Sequence, residues 1–184
     1  MLTDEQKRKL LEVARDSIEQ SVKGNPLPRL KMEDEALTAP GAAFVTIHRE
    51  GELRGCIGLM ESTHPLCTTV ARMARAAALE DPRFPPVTED ELNLIRLEIS
   101  VLSPLDAVSG IEEIEIGKHG LKIQQGYRSG VLLPQVATEY GWDAVQFVRQ
   151  TCRKAGLPSD AWENGAELRK FSAEVFGEEI EPEP

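Results

Sequence analysis

The chain has 184 residues, with a hydrophobic fraction of 41%, an aromatic fraction of 5%, a formal charge of −10 and a pI of about 4.9. That hydrophobic fraction supports a core without disulfide staples, in one domain or one domain carrying a small lobe. The acidity and the scarcity of aromatics argue against binding to nucleic-acid phosphates, against stacking platforms for single strands and against adsorption to anionic membranes.

Thr3-Asp4-Glu5-Gln6 has the pattern of a capping box. Leu10, Leu11, Ala14, Ile18 and Val22 then recur at helical spacing, and Gly24 suits the stop. The first 20 residues are too charged for a signal peptide, and no apolar run is long enough to span a bilayer. A cytoplasmic chain is expected. Asn25 to Pro40 reads as loop, with a short extended piece around Leu30.

Ala42 to His48 is rich in β-formers, Arg49 to Glu52 reads as a turn, and a second strand starts at Leu53, so the two runs predict a β-hairpin. Along Leu53-Arg54-Gly55-Cys56-Ile57-Gly58-Leu59, simple alternation places Leu53, Gly55, Ile57 and Leu59 on one face. Arg54, Cys56 and Gly58 then share the other. Glycine weakens a strand interior and marks a bulge or a close approach by backbone or ligand. Two glycines flanking a cysteine make this stretch the first place to look for function.

Pro65 fits the first turn of a helix capped by Thr63 or His64, with Leu66, Val70, Met73 and Ala77 as its apolar face. The helix should end before Asp81-Pro82. Thr88 to Glu91 is a second capping box, and Ile95, Leu97, Ile99 and Val101 alternate as a half-buried strand. From Ser109 the pattern becomes short strands and glycine turns. Ile114-Glu115-Ile116, Leu121 to Gln125 and Val131 to Leu133 predict a three-stranded meander packed as a lobe. Pro134 opens a helix broken at Gly141, a further helix runs from Trp142-Asp143 to Ala155, and Leu168 to Phe176 alternates as a closing strand. The expected fold class is α+β: an antiparallel sheet flanked by helices, with a smaller inserted three-stranded lobe. The larger sub-domain is placed at about 1–105 plus 157–177 and the lobe at about 106–156. Residues 178–184 read as an acidic, disordered tail.

The three cysteines, Cys56, Cys67 and Cys152, are odd in number and widely spaced, which fits neither a disulfide framework nor a zinc knuckle and suits a reduced compartment.

Leu53-Arg54-Gly55-Cys56-Ile57-Gly58 resembles the hallmark hexapeptide of the AMMECR1 domain family. The resemblance continues through Asp81-Pro82-Arg83-Phe84-Pro85-Pro86-Val87, Glu98 to Pro104, His119-Gly120-Leu121, Gly130 to Ala137, Trp142 and Cys152 to Leu157. It implies two sub-domains with the hexapeptide near the cleft between them. It also implies possible partners, since members are often encoded beside Memo-like and radical SAM proteins. It implies no established activity and names no cofactor.

The sharpest chemical reading makes Cys56 a nucleophile or ligand contact and Arg54 the cation beside it, since the thiolate is the reactive form and a neighbouring cation favours it. Gly55 and Gly58 would admit an unknown small-molecule ligand, and Asp81 and Arg83 would form a polar lip over the same face. The bland reading makes Cys56 a buried small hydrophobe, ties Arg54 to a carboxylate and Asp81 to Arg83, and uses the glycines for packing. A thiol catalyst needs a base. His119 is the histidine the lobe would bring nearest, His64 reads as a helix cap, and His48 reaches the face only if register allows. No ligand spacing points to a metal, and no phosphate-cradling loop is present. A non-catalytic assembly module is the alternative reading.

Overall fold

The structure, a computed structural model, describes residues 1–178, with five helices and seven strands among them. By contacts they divide into two units, Met1–Leu102 with the chain from Glu174 on, and Ser103–Ala173. The class is α+β with antiparallel strand pairs, as the sequence predicts.

In the first unit, helix α1 (Asp4–Val22) forms its capping box in full: the Thr3 side chain accepts the Gln6 N–H and the Gln6 side chain accepts the Thr3 N–H. Its Leu10, Ala14 and Ile18 are fully buried, one face at four-residue spacing. The stretch read as loop contains a one-turn helix, α2 (Glu35–Thr38), because the Asp34 side chain caps it and Leu37 is buried.

Strands β1 (Ala42–Arg49) and β2 (Glu52–Gly58) form the expected hairpin. Both turn residues, Glu50 at φ 54° and Gly51 at φ 81°, have left-handed backbone, which matches the twist of the flanking strands. A Cβ at Gly51 would meet nothing, so Gly51→Ala is expected to cost only the backbone term, about 1 kcal/mol in urea denaturation.

Helix α3 (Leu66–Leu79) starts without a side-chain cap, so neither Thr63 nor His64 caps it. Its first N–H, at Leu66, donates instead to the Ala39 carbonyl. The helix stops before Asp81-Pro82 as expected, and the Thr88–Glu91 capping box holds a single 3-10 turn. Strand β3 (Ile95–Leu102) pairs with β1, giving the order β2-β1-β3 with β2 at the edge. Val45, Ile47, Ile95, Leu97 and Ile99 form the inner face, buried against α1 and α3.

In the second unit, the two-residue β4 (Asp106–Ala107) is followed by the hairpin of β5 (His119–Gln125) and β6 (Arg128–Leu132). Helix α4 (Pro134–Glu139) and helix α5 (Ala144–Lys154), the latter opened by an Asp143–Gln146 capping box, pack Ala137, Phe147, Val148 and Cys152 against Leu121 and Ile123. Strand β7 (Glu167–Gly177) pairs with both β4 and β5. The meander differs from expectation in one strand. Ile114-Glu115-Ile116 is not extended pairing chain: it follows a 3-10 turn, buries Ile114 and leaves Ile116 exposed. The lobe's remaining long strand is β7. The division by contacts therefore falls inside β7, after Ala173, whereas the sequence reading placed 157–177 with the larger sub-domain. Glu167 to Ser172 pair with β5, and an unbroken strand carries no local signal of such a boundary.

From residue 179 on, the tail lies outside the described residues. Among the described residues no helix is long and apolar enough to cross a membrane.

Candidate functional site

The Leu53–Gly58 stretch does not alternate simply. Ile47 pairs with Gly55 while His48 pairs with Leu53, so Arg54 is an extra residue with no partner on β1. This is a β-bulge, and one extra residue exchanges the faces of everything on its far side. Directly paired residues share a face, so Leu53 lies with His48 on the outer face and is 41% exposed. Arg54 goes the other way. Its guanidinium meets the carboxylate that also holds Arg49, whose β3 partner is the fully buried Ile95 of the inner face. The expectation that Leu53 faces the core and that Arg54 shares the Cys56 face is thereby corrected, for a reason of register.

Arg54 is fully engaged where it lies. Its Nε and Nη2 donate to Glu91 at 2.9 and 3.0 Å, and Nη1 donates to the Pro85 carbonyl at 2.9 Å. Glu91 also accepts from Arg49 Nη1 at 3.0 Å and from the Thr88 N–H and hydroxyl. The Arg54 guanidinium in particular holds the Glu91 carboxyl down to about 2. The second capping box, read from sequence as a helix start, is thus also the anchor of the hexapeptide's arginine.

Cys56 lies on the outer face, opposite Thr46, whose hydroxyl donates to Sγ at 3.3 Å. Its backbone groups point off the sheet edge and are met by side chains. The Cys56 N–H donates to Asp81 Oδ2 at 2.9 Å, and Arg83 Nη2 donates to the Cys56 carbonyl at 3.3 Å. Asp81 and Arg83 are joined by a two-point contact at 3.0 and 2.7 Å, so together they stand in for a neighbouring strand at this edge. The Asp81 side chain is 2% exposed, and the Arg83 guanidinium holds its carboxyl well below the usual range despite burial. Arg83 is raised in turn by Asp81, and its charge also interacts with the Cys56 thiol. The cation that reaches Cys56, at its carbonyl, is therefore Arg83.

Both glycines lie against neighbouring chain. A Cβ on Gly55 would come within 2.2 Å of the Ala77 carbonyl oxygen of α3, and one on Gly58 within 2.2 Å of the Phe44 ring. His119 belongs to the second unit, where its Nδ1 accepts the Glu115 N–H at 3.0 Å and burial lowers its pKa. His64 Nε2 lies 2.7 Å from Arg72 Nη1. Cys67 and Cys152 are buried in the two cores, and burial pushes the Cys152 thiol up. Among the described residues no three His, Cys, Asp or Glu side chains converge as a metal site.

Sequence reading did not single out Thr46, Glu91 or Glu98 in this region. Glu98 pairs with Thr46, so Cys56, Thr46 and Glu98 form one row across β2, β1 and β3, with His48 and Arg96 in the next. The one available signal for Glu91 was its place in a capping box. The rows need the register, which spacing alone does not supply.

The AMMECR1 family model matches residues 11–176. Protein Mbar_A1807 of Methanosarcina barkeri is 42% identical over 187 residues, covering 97% of this chain and 93% of the relative. Protein MJ0810 of Methanocaldococcus jannaschii is 39% identical, covering 99% and 94%. The crystal structure of uncharacterized protein PH0010 from Pyrococcus horikoshii superposes with a TM-score of 0.88 at 38% identity, covering 97% of this chain and 94% of that one.

Proposed function

The chain belongs to the AMMECR1 family, and on that premise we propose that it binds a small-molecule ligand on the outer sheet face around Leu53–Gly58, with the Cys56 thiol in contact and Arg83 as the cation of the site. One observation carries this reading. Cys56 is half-buried, its N–H and carbonyl are both fixed by Asp81 and Arg83, and its side chain stands on a polar face beside a half-exposed guanidinium. A backbone so fixed presents its thiol in one orientation, which is what a binding contact requires. Arg54 serves this site from behind by holding the bulge to Glu91. Gly55 and Gly58 serve it by letting β2 lie close to its neighbours.

The test is a thermal-shift screen of small metabolites read together with iodoacetamide labelling. A ligand of this site raises Tm by several degrees in the wild type, slows alkylation of Cys56 and loses both effects in Cys56→Ser. If no compound does both, or if Cys56 is alkylated no faster than Cys67 and Cys152, the reading fails.

A second reading is favoured by the exposure of Leu53 and Leu59, at 41% and 37%, at the two ends of the motif. In it the chain is a non-catalytic assembly module for Memo-like or radical SAM partners. Co-purification with such a partner should then survive Cys56→Ala and be lost in Leu53→Asp with Leu59→Asp.

A further inference from the structure

The bulge at Arg54 has a chemical consequence on the opposite side of the strand. By moving Leu53 opposite His48, it sets the register in which His48, Thr46 and Cys56 share the outer face. His48 is then the diagonal neighbour of Cys56 across an antiparallel pair, and such neighbours have Cα atoms about 7–8 Å apart with Cβ atoms closer, within reach of a ring. The same diagonal on the other side relates His48 to Glu98 of β3.

We infer that His48 is the base that accepts the Cys56 thiol proton, with Thr46 between them holding the sulfur and Glu98 placed to orient the imidazole. The inference rests on the Cys56 ligand site proposed above and adds acid–base chemistry to it. Three observations carry it. First, the other two imidazoles are engaged elsewhere, His64 with Arg72 and His119 with the Glu115 N–H, whereas among the described residues no side-chain hydrogen bond engages His48. Second, the Thr46 hydroxyl donates to Sγ at 3.3 Å, so the sulfur is already used as an acceptor and gains from carrying more negative charge. Third, the charged groups facing the pair are all accounted for. Glu98 stands diagonal to His48 on β3 and favours an imidazolium there, and Arg96 directly opposite His48 opposes it. The Asp81–Arg83 ion pair meets the Cys56 backbone as a nearly neutral unit. A thiol, a base and a carboxylate on three adjacent strands are the parts of a nucleophile-activating set.

The step balances within the chain. The thiol proton moves from Sγ to a ring nitrogen of His48, leaving thiolate and imidazolium. With iodoacetamide as the electrophile, Sγ then forms a bond to the methylene carbon, the carbon–iodine bond breaks, iodide leaves, and the imidazolium returns its proton to solvent.

The experiment is the pH profile of Cys56 alkylation in the full chain without ligand, followed by peptide mass spectrometry. The wild type is expected to react at pH 6.5 about tenfold faster than His48→Asn, with the two rates converging at pH 9.5, where solvent removes the proton unaided. His48→Gln is a second variant, and thermal melting confirms that each is folded. Equal rates at pH 6.5 in wild type and both variants overturn the inference while leaving the ligand site standing, because selective labelling of Cys56 and its protection by ligand are read separately. Loss of the neutral-pH rate in Arg83→Ala, with no change in the His48 variants, also overturns it and assigns the activation to the guanidinium. If Cys56 in the wild type is not labelled selectively at all, the ligand-site reading fails as well.

Discussion

Glu91→Ala is expected to lower the stability of the chain by about 3–5 kcal/mol, the range for removing one partner of a buried charge pair. Glu91 is 8% exposed, and its two oxygens receive Arg54 through both Nε and Nη2, Arg49, and two donors of Thr88. Alanine leaves the Arg54 guanidinium, itself only 12% exposed, without its counter-charge. Glu91→Gln should cost less, since the amide oxygen can still accept while at least two donors of the cluster then face an NH₂ group. The same carboxylate sets an acid limit. Its folded value is about 2 against an ordinary 4.5, so its contribution is fully present above pH 4.5 and is lost as the pH falls toward 2. The shift corresponds to about 3 kcal/mol. Asp81, also held low in the fold, acts in the same direction. Urea midpoints at pH 7 and pH 3 check both statements: the wild type should lose stability between them, and Glu91→Gln should lose clearly less. A Glu91→Ala chain within 1 kcal/mol of the wild type would show that the cluster behaves like a solvated surface pair.

What could be read from the sequence, and what could not, follows from the range of the interactions concerned. The capping boxes at Thr3–Gln6 and Thr88–Glu91 and the stop before Asp81-Pro82 are set within four residues, and each forms where the sequence places it. The hairpin is equally local, being fixed by a two-residue turn. The bulge is not local. Whether Arg54 pairs with β1 depends on Glu91, 37 positions further on, and on Gly55 meeting α3. Period-two alternation therefore assigned Leu53 and Arg54 to the wrong faces while placing Cys56 and Gly58 together. Ile114 to Ile116 shows the converse failure. Two isoleucines two apart look like a strand, yet only Ile114 reaches the core, because a helical turn delivers it there.

The bulge also explains why the most glycine-rich strand of the chain stands at a sheet edge. An edge strand with open backbone groups invites pairing with another chain. Here Asp81 and Arg83 occupy the outward N–H and carbonyl of Cys56, and the kink at Arg54 interrupts the ladder two residues earlier. The features that present the thiol are thus the same ones that keep the edge from acting as a template for another strand.

Gly55 is where this arrangement is least tolerant, and Gly55→Ala is expected to destabilise the chain by about 3 kcal/mol or more, at the upper end of overpacking. The new methyl would sit 2.2 Å from the Ala77 carbonyl oxygen and 3.2 Å from its carbon. Both atoms are backbone of α3, a helix whose Val70, Ala74 and Ala77 are buried in the core, so rotation of a side chain cannot relieve the clash. Only separation of β2 from α3 can, and that opens the contacts of Val45 and Ile47 as well. Gly58→Ala provides the comparison. Its nearest obstacle is the Phe44 side chain from Cγ outward, with the Ala43 carbonyl oxygen next at 2.7 Å, so Phe44→Ala should partly rescue it. Ala77→Gly should not rescue Gly55→Ala, because it leaves the obstructing carbonyl in place. Melting temperatures of the four single variants and two double variants decide the matter. A Gly55→Ala chain that melts within about 3 °C of the wild type, a shift too small for the expected loss, would mean that β2 and α3 separate easily, and that the close approach of strand and helix does not set the position of Cys56.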